Sequence, residues 1–326
     1  MSLRSEPLTL KSNPCIAIII PFRRQAEQDR EGQLTSFLKH MAGFLRSAQF
    51  VIVVAEQSDD GRKFNRGQLL NIGFDEAQKH TAPTPLVSVI FHDVDLLPND
   101  ALLPYYVEAP TRGRPTHLAG PATWRKYAGM GAYEDVFFGG VTAFHPADFA
   151  SCNGFPNTYW GWGLEDDQLR LRAEESGCLL HGVRRPGQSS GGSFVDLDQV
   201  QVLAVLQDPA KRVRDLHLWN DMFLGKKQGV LPLDDGWDDA NGLAGLQHRV
   251  LNREASPLGS PWAREHAGPQ ARVVRVRVEL GPVQAVAAEV ESGGSSDTER
   301  RPTAETIRRR KSCSDSFHSR QPERTS

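Results

Sequence analysis

Two acids one residue apart, Asp93 and Asp95 in the run F-H-D-V-D-L-L-P (residues 91–98), stand directly after an apolar stretch. Ligands of open α/β sheets bind just beyond strand ends, so carboxylates there are placed for a polar ligand or a divalent cation. In an extended segment side chains alternate, so both acids would face one ligand, with Asp95 touching a cation that bridges a pyrophosphate. Two surface aspartates closing a turn would give the same triplet. A second group, W-G-W-G-L-E-D-D (residues 160–167), sets Glu165, Asp166 and Asp167 behind the indoles of Trp160 and Trp162. Indole faces suit sugar rings and glycines let a loop approach and close, whereas acids at a helix start are commonly there for the dipole. Indoles in a Gly-rich loop directly before the acids favour a carbohydrate site. A third group is cationic: Pro21, Phe22, Arg23 and Arg24, then Phe64, Asn65 and Arg66. Strand ends and helix starts hold nucleotide phosphates or bases, and surface salt bridging is the plainer use of any single Arg.

The elements that must position these groups read from periodicity. Cys15 to Ile20 and Phe50 to Ala55 are β-rich apolar runs, and between them Leu34, Phe37, Leu38, Met41, Phe44 and Leu45 form one helical stripe, a βαβ unit. A second helix, Asn65 to Lys79, leads to a third strand, Leu86 to Phe91. Continuous apolar strands with helices between them predict an α/β fold whose mainly parallel central sheet is covered on both faces. From Asp95 to Trp162 the chain turns to Pro, Gly and aromatic residues, where loops shape a pocket. Glu165 to Ser176 can be helical, Pro186 to Ser193 reads as a mobile loop, and Val273 to Leu280 alternates as a half-exposed edge strand. After Glu291 the composition is that of a polar tail without packed structure, whose Arg308 to Lys311 run is either a targeting or phosphorylation signal or simply solvated.

Composition excludes several function classes. The 326 residues carry 38 Lys and Arg against 40 Asp and Glu, a net charge of -2, which gives no general attraction to nucleic acid or anionic membrane. Apolar residues are 39% and charged residues 24%, as in a soluble globular chain. The longest apolar runs fall well short of the ~20 residues of a membrane span. The first residues lack a signal peptide's apolar core, so no export or anchoring signal is expected. The 4 cysteines form no C-x-x-C pair, against a zinc ribbon or a disulfide framework.

Taken in order, P-F-R-R, F-N-R-G-Q-L-L-N-I-G-F, H-D-V-D-L-L-P, F-F-G-G-V-T-A-F, C-N-G-F and W-G-W-G-L-E-D-D closely resemble the β-1,4-galactosyltransferase family, nearest to its xylosylprotein branch. The likeness covers residues 14 to 182 and continues more faintly to Leu280, so the expected organisation is an extension (1–13), a catalytic domain (14–285) and a disordered tail (286–326). The resemblance implies a nucleotide-sugar glycosyltransferase fold of GT-A type and inverting transfer of galactose from UDP-galactose to a xylose- or N-acetylglucosamine-terminated glycan. It implies Asp166 as general base, with Glu165, Asp167 and Trp160 at the acceptor. It places Pro21, Phe22, Arg23, Phe64, Arg66, Asp93, Val94, Gly139, Gly140 and Trp162 around the donor, with Trp162 on a closing loop. Asp95 would hold a divalent metal, manganese or else magnesium, and the family's setting is the Golgi lumen, against which the missing anchor leaves the cytoplasm.

Two positions depart from the family pattern. Where the resemblance implies metal-binding histidines the chain has Val205 and Gln207; Val205 has no donor atom and Gln207 offers only a neutral oxygen, a possible but weak ligand, and the substitutes Asp196, Asp198, His181 and His217 read more plainly as surface residues. A weakened or silent UDP- or sugar-binding protein is therefore the alternative reading. Phe137 stands where a tyrosine is expected; a lost hydroxyl would relax donor choice toward UDP-N-acetylgalactosamine, unless the ring simply packs in the core.

Overall fold

A computed structural model describes residues 15–25, 28–45, 49–127, 133–161, 163–198, 233–234, 236–257 and 272–281. The polar tail, Trp162, Val205, Gln207 and His217 lie outside the described residues. Strands β1 (Cys15–Phe22), β2 (Phe50–Gln57) and β3 (Leu86–His92) alternate with helices α1 (Arg30–Phe44) and α2 (Arg66–Thr81). Both helices start on side-chain caps: Asp29 accepts from Gly32 N–H, and Asn65 from Gln68 N–H at 2.9 Å. The first strand pairs in parallel with the second and the third, as the apolar runs predict.

Downstream elements are short: β4 (Leu96–Pro98), α3 (Leu103–Val107), β5 (Thr116–His117), α4 (Tyr133–Val136), β6 (Val141–Phe144), α5 (Pro146–Ser151), α6 (Glu165–Glu175) and β7 (Phe194–Asp196). Two long strands, β8 (His248–Pro257) and β9 (Arg272–Leu280), complete a seven-stranded sheet in the order β5-β6-β3-β1-β2-β9-β8. The expectation of an edge strand at 273–280 is corrected here: β9 lies inside the sheet, parallel to β2 and antiparallel to β8. Its outer neighbour escaped the sequence reading because 251–256 is exposed throughout and carries few apolar residues.

Alternation along the central strands sorts the core. Ile16, Ile18, Ile20, Ile52, Val54 and Ile90 face Leu34, Phe37 and Met41 of α1. Ala17, Val51, Val53 and Ala55 face Leu69 and Ile72 of α2, while Ile19, Val89 and Phe91 meet Leu70 and Phe74. Each such side chain taken fully from water contributes about 1.5–3 kcal/mol. At Gly73 of α2 a β-carbon would overlap the Ile19 side chain, so the absent methyl sets how closely that helix meets the sheet.

Candidate active site

The D-V-D acids do not lie in an extended segment. Residues 94 and 95 form a turn from β3 into β4, with Asp93 N–H on Gly140 O at 3.0 Å, so the two carboxylates separate toward different cations. Val94 between them is buried in the core. Asp93 takes Arg66 Nε at 2.9 Å and Nη2 at 2.8 Å, and the same guanidinium reaches Glu165 at 3.2 Å. Arg66 thus ties the end of the third strand to the start of α6.

Electrostatics at this junction follow from burial. For Glu165, burial and the adjacent Asp166 outweigh Arg66 and push the carboxyl up to about 7. For Asp93, burial and Asp95 likewise outweigh Arg66, raising it. Burial opposes the charge of Arg66, yet Asp93, Glu165 and Asp166 together hold its pKa above the ordinary value.

Asp166 is half-buried; its Oδ1 accepts from Asp167 N–H at 3.0 Å and its Oδ2 has no hydrogen-bond partner among the described residues. That oxygen lies against Gly139, where a β-carbon would overlap it. Gly140 follows with φ of 76°, a left-handed conformation suited to glycine. The Gly139 carbonyl is fixed by His117 Nε2 at 2.9 Å. Burial pushes His117 down to about 3, and Arg185 donates to its Nδ1 at 3.4 Å, so the neutral ring donates from Nε2. Nothing in the sequence marked His117 as this support.

A buried amide network seats the indole loop. Asn65 Nδ2 donates to Asn157 O at 2.7 Å, Asn71 Nδ2 to Phe155 O at 2.8 Å and Asn157 Oδ1 at 3.0 Å, and Gly161 N–H to Phe64 O at 2.7 Å. Trp160, expected to be open to a sugar, is half-buried with the Arg62 guanidinium 4.7 Å from its ring centroid. Arg23 is buried, lies 5.3 Å from the Phe64 ring centroid and donates to Arg62 O at 3.1 Å. Pro21 and Phe22 belong to the first strand rather than to a loop after it, and the Phe22 ring is in the core. Phe137 is buried too, edge-on to His117 at 5.4 Å.

Asp95 has a partner that the sequence reading missed. Arg30 Nη1 lies 3.3 Å from Asp95 Oδ2 and Nη2 lies 3.2 Å from Asp198 Oδ2. Asp198 also accepts from Gln33 at 3.0 Å and Gln28 at 3.3 Å, and burial with Asp95 nearby raises its pKa despite Arg30. Of the other metal candidates, Asp196 is engaged by Trp124 Nε1 at 3.0 Å and Asp198 N–H at 2.9 Å, and His181 is exposed beside Gly113. Among the described residues no three His, Cys, Asp or Glu gather as a metal's ligands. The described residues around Asp95 therefore do not fit a transition-metal site; they form a carboxylate pair sharing one guanidinium.

Comparison with known proteins bears on the family and the fold. Residues 3–108 match the family model for the N-terminal region of glycosyl transferase group 7, and residues 125–191 that for the N-terminal domain of galactosyltransferase. The chain is 39% identical over 181 residues to β-1,4-galactosyltransferase 7 of Drosophila melanogaster, covering 55% of this chain and 49% of that protein. It is 33% identical over 260 residues to mouse β-1,4-galactosyltransferase 4, covering 78% and 64%. It is 33% identical over 181 residues to the xylosylprotein 4-β-galactosyltransferase of Caenorhabditis elegans, covering 55% and 57%. The chain thus spans about half to just under two thirds of these relatives. The catalytic domain of the Drosophila enzyme, solved with xylobiose, superposes with a TM-score of 0.58 at 28% identity, covering 82% of this chain and 95% of that one. A mutant of it, with manganese, UDP-Gal and xylobiose, gives 0.57 at 27% identity and the same coverage. The fold is therefore the GT-A type, and with both family models matched in order along one sheet, the chain belongs to the β-1,4-galactosyltransferase family.

Proposed function

We propose that this chain transfers galactose from UDP-galactose to the 4-hydroxyl of a sugar acceptor in β-1,4 linkage with inversion, Asp166 taking the acceptor proton. One observation carries the reading: Arg66 joins Asp93 to Glu165 while Asp166 lies on Gly139, so acids from the third strand and from α6 meet at one place. The solved Drosophila relative contains UDP-Gal and xylobiose, which supports a UDP-galactose donor and favours a xylose-terminated acceptor over an N-acetylglucosamine-terminated one.

Arg23, Phe64 and Arg66 stand on the donor side with Asp93, and Glu165, Asp167 and Trp160 on the acceptor side. As the acceptor oxygen bonds to the anomeric carbon, the bond from that carbon to the diphosphate breaks, its electron pair leaves with UDP, and the hydroxyl proton passes to Asp166 Oδ2. An ionised carboxylate within hydrogen-bond reach suits this step, because the hydroxyl becomes acidic only as the new bond forms. Glu165, pushed up to about 7, takes up a proton near neutrality beside it. His117, kept neutral, holds the Gly139 carbonyl against which the base lies. Manganese is a component of the relative's structure; for this chain a divalent ion would have to reach Asp95, and Arg30 is set on that carboxylate.

The test is UDP release from UDP-galactose with a xyloside acceptor. Asp166→Asn should lower kcat by about 10² to 10⁴, the range for losing a general base, with the donor KM little changed. Full activity in that variant would remove Asp166 from the chemistry. Wild-type protein that turns over neither a xyloside nor an N-acetylglucosamine acceptor would end the enzyme reading.

A further inference from the structure

We propose, resting on the donor reading above, that this chain holds the diphosphate of its nucleotide sugar without a divalent metal, the guanidinium of Arg30 standing at Asp95 where such an ion would be held. Arg30 opens α1, whose first turn is fixed by the Asp29 cap. Its Nη1 donates to Gln33 Oε1 at 2.6 Å and to Asp95 Oδ2 at 3.3 Å, and its Nη2 to Asp198 Oδ2 at 3.2 Å. Gln33 is buried and donates in turn to Asp198 Oδ1 at 3.0 Å, so the fork is preset rather than swinging on a free stem.

A guanidinium has five N–H donors and no acceptor. Three are engaged here, and Nε–H with the second Nη2–H has no partner among the described residues. Two parallel donors of this kind are what bidentate phosphate recognition uses. A second cation stands nearby: the charge of Lys126 acts on Asp93 and Asp198, and its ammonium lies 4.9 Å from the Trp124 ring centroid. Arg30 offsets Asp95 and Asp198, and Lys126 adds to it at Asp198, so this end of the site does not repel a diphosphate as a bare carboxylate pair would. An entering ion would have to displace Arg30 and would find no ready three-ligand group among the described residues.

Calorimetric titration of UDP into the full chain, first in EDTA and then in Mn²⁺, reads this directly. The dissociation constant in EDTA should lie within about threefold of that in Mn²⁺, and Arg30→Gln should weaken binding in EDTA by about tenfold, as expected for a lost charge-assisted pair. Asp198→Asn frees the guanidinium from a competing carboxylate and should tighten UDP binding, a gain that misfolding cannot produce. UDP binding that requires Mn²⁺, or an Asp198→Asn variant that weakens it, overturns the metal-free proposal and leaves the donor reading standing. No UDP binding in either buffer overturns both.

Discussion

In the proposed transfer Gly139 is the residue on which the donor side and the base would meet, and its missing side chain leaves the room that Asp166 Oδ2 occupies. A methyl there would overlap Asp166 Oδ2 and move the carboxylate, and it would also press on the edge of the buried Phe137 ring, which has to give by only a few tenths of an ångström. Gly139→Ala should therefore lower kcat by about 10²-fold, the cost of roughly 1 Å of misplacement at a reacting group. Thermal unfolding of the same variant should change little, and a collapse of the fold would show that the glycine serves packing instead. At this scale the sequence was informative where residues are adjacent: Glu165, Asp166 and Asp167 are one helical turn, and Phe64, Asn65 and Arg66 one helix start. It was less so for D-V-D, because a triplet does not reveal whether its backbone is extended or turned. It was silent on Arg30, whose carboxylate partners stand 65 and 168 positions away.

The helix that carries the acids is anchored from below. Arg172 on α6 is fully buried and donates to Asp234 through Nε at 3.0 Å and Nη2 at 2.5 Å, to Gly154 O at 2.9 Å and to Asn241 O at 2.6 Å. Arg172→Met leaves Asp234 without its cation and two carbonyls without a donor, so stability to urea should fall by about 3 to 5 kcal/mol. An unchanged urea midpoint would mean that the helix is held by its apolar face alone. This anchor could not be read from the chain, since one Arg in an E-D-D-Q-L-R-L-R-A-E-E helix looks like any solvated charge. The three parallel strands were legible for the opposite reason: burial on both faces demands continuous apolar runs, and those runs are short-range signals. The eighth strand is an exposed sheet edge, and exposure leaves no such pattern.

Across the whole molecule, buried acids make stability depend on pH. Glu165 has its proton affinity raised in the fold, to about 7, so its contribution is fully present below the ordinary Glu range and is lost as pH rises through 7. Glu165→Gln should remove that component: the urea midpoint of the wild type, measured relative to the variant, should decline between pH 4.5 and about 7. Parallel curves would show that Arg66 neutralises Glu165 fully. The order of the central sheet has a consequence for synthesis as well. Glu56 on the second strand is buried and, besides the exposed Arg24 at 3.4 Å, meets Arg275 of the ninth, 219 positions later, at 2.7 Å. A nascent chain on the ribosome therefore exposes an apolar strand border, its buried carboxylate still lacking Arg275, until almost all of the sheet has emerged. Chaperone occupancy during translation should concentrate on that interval.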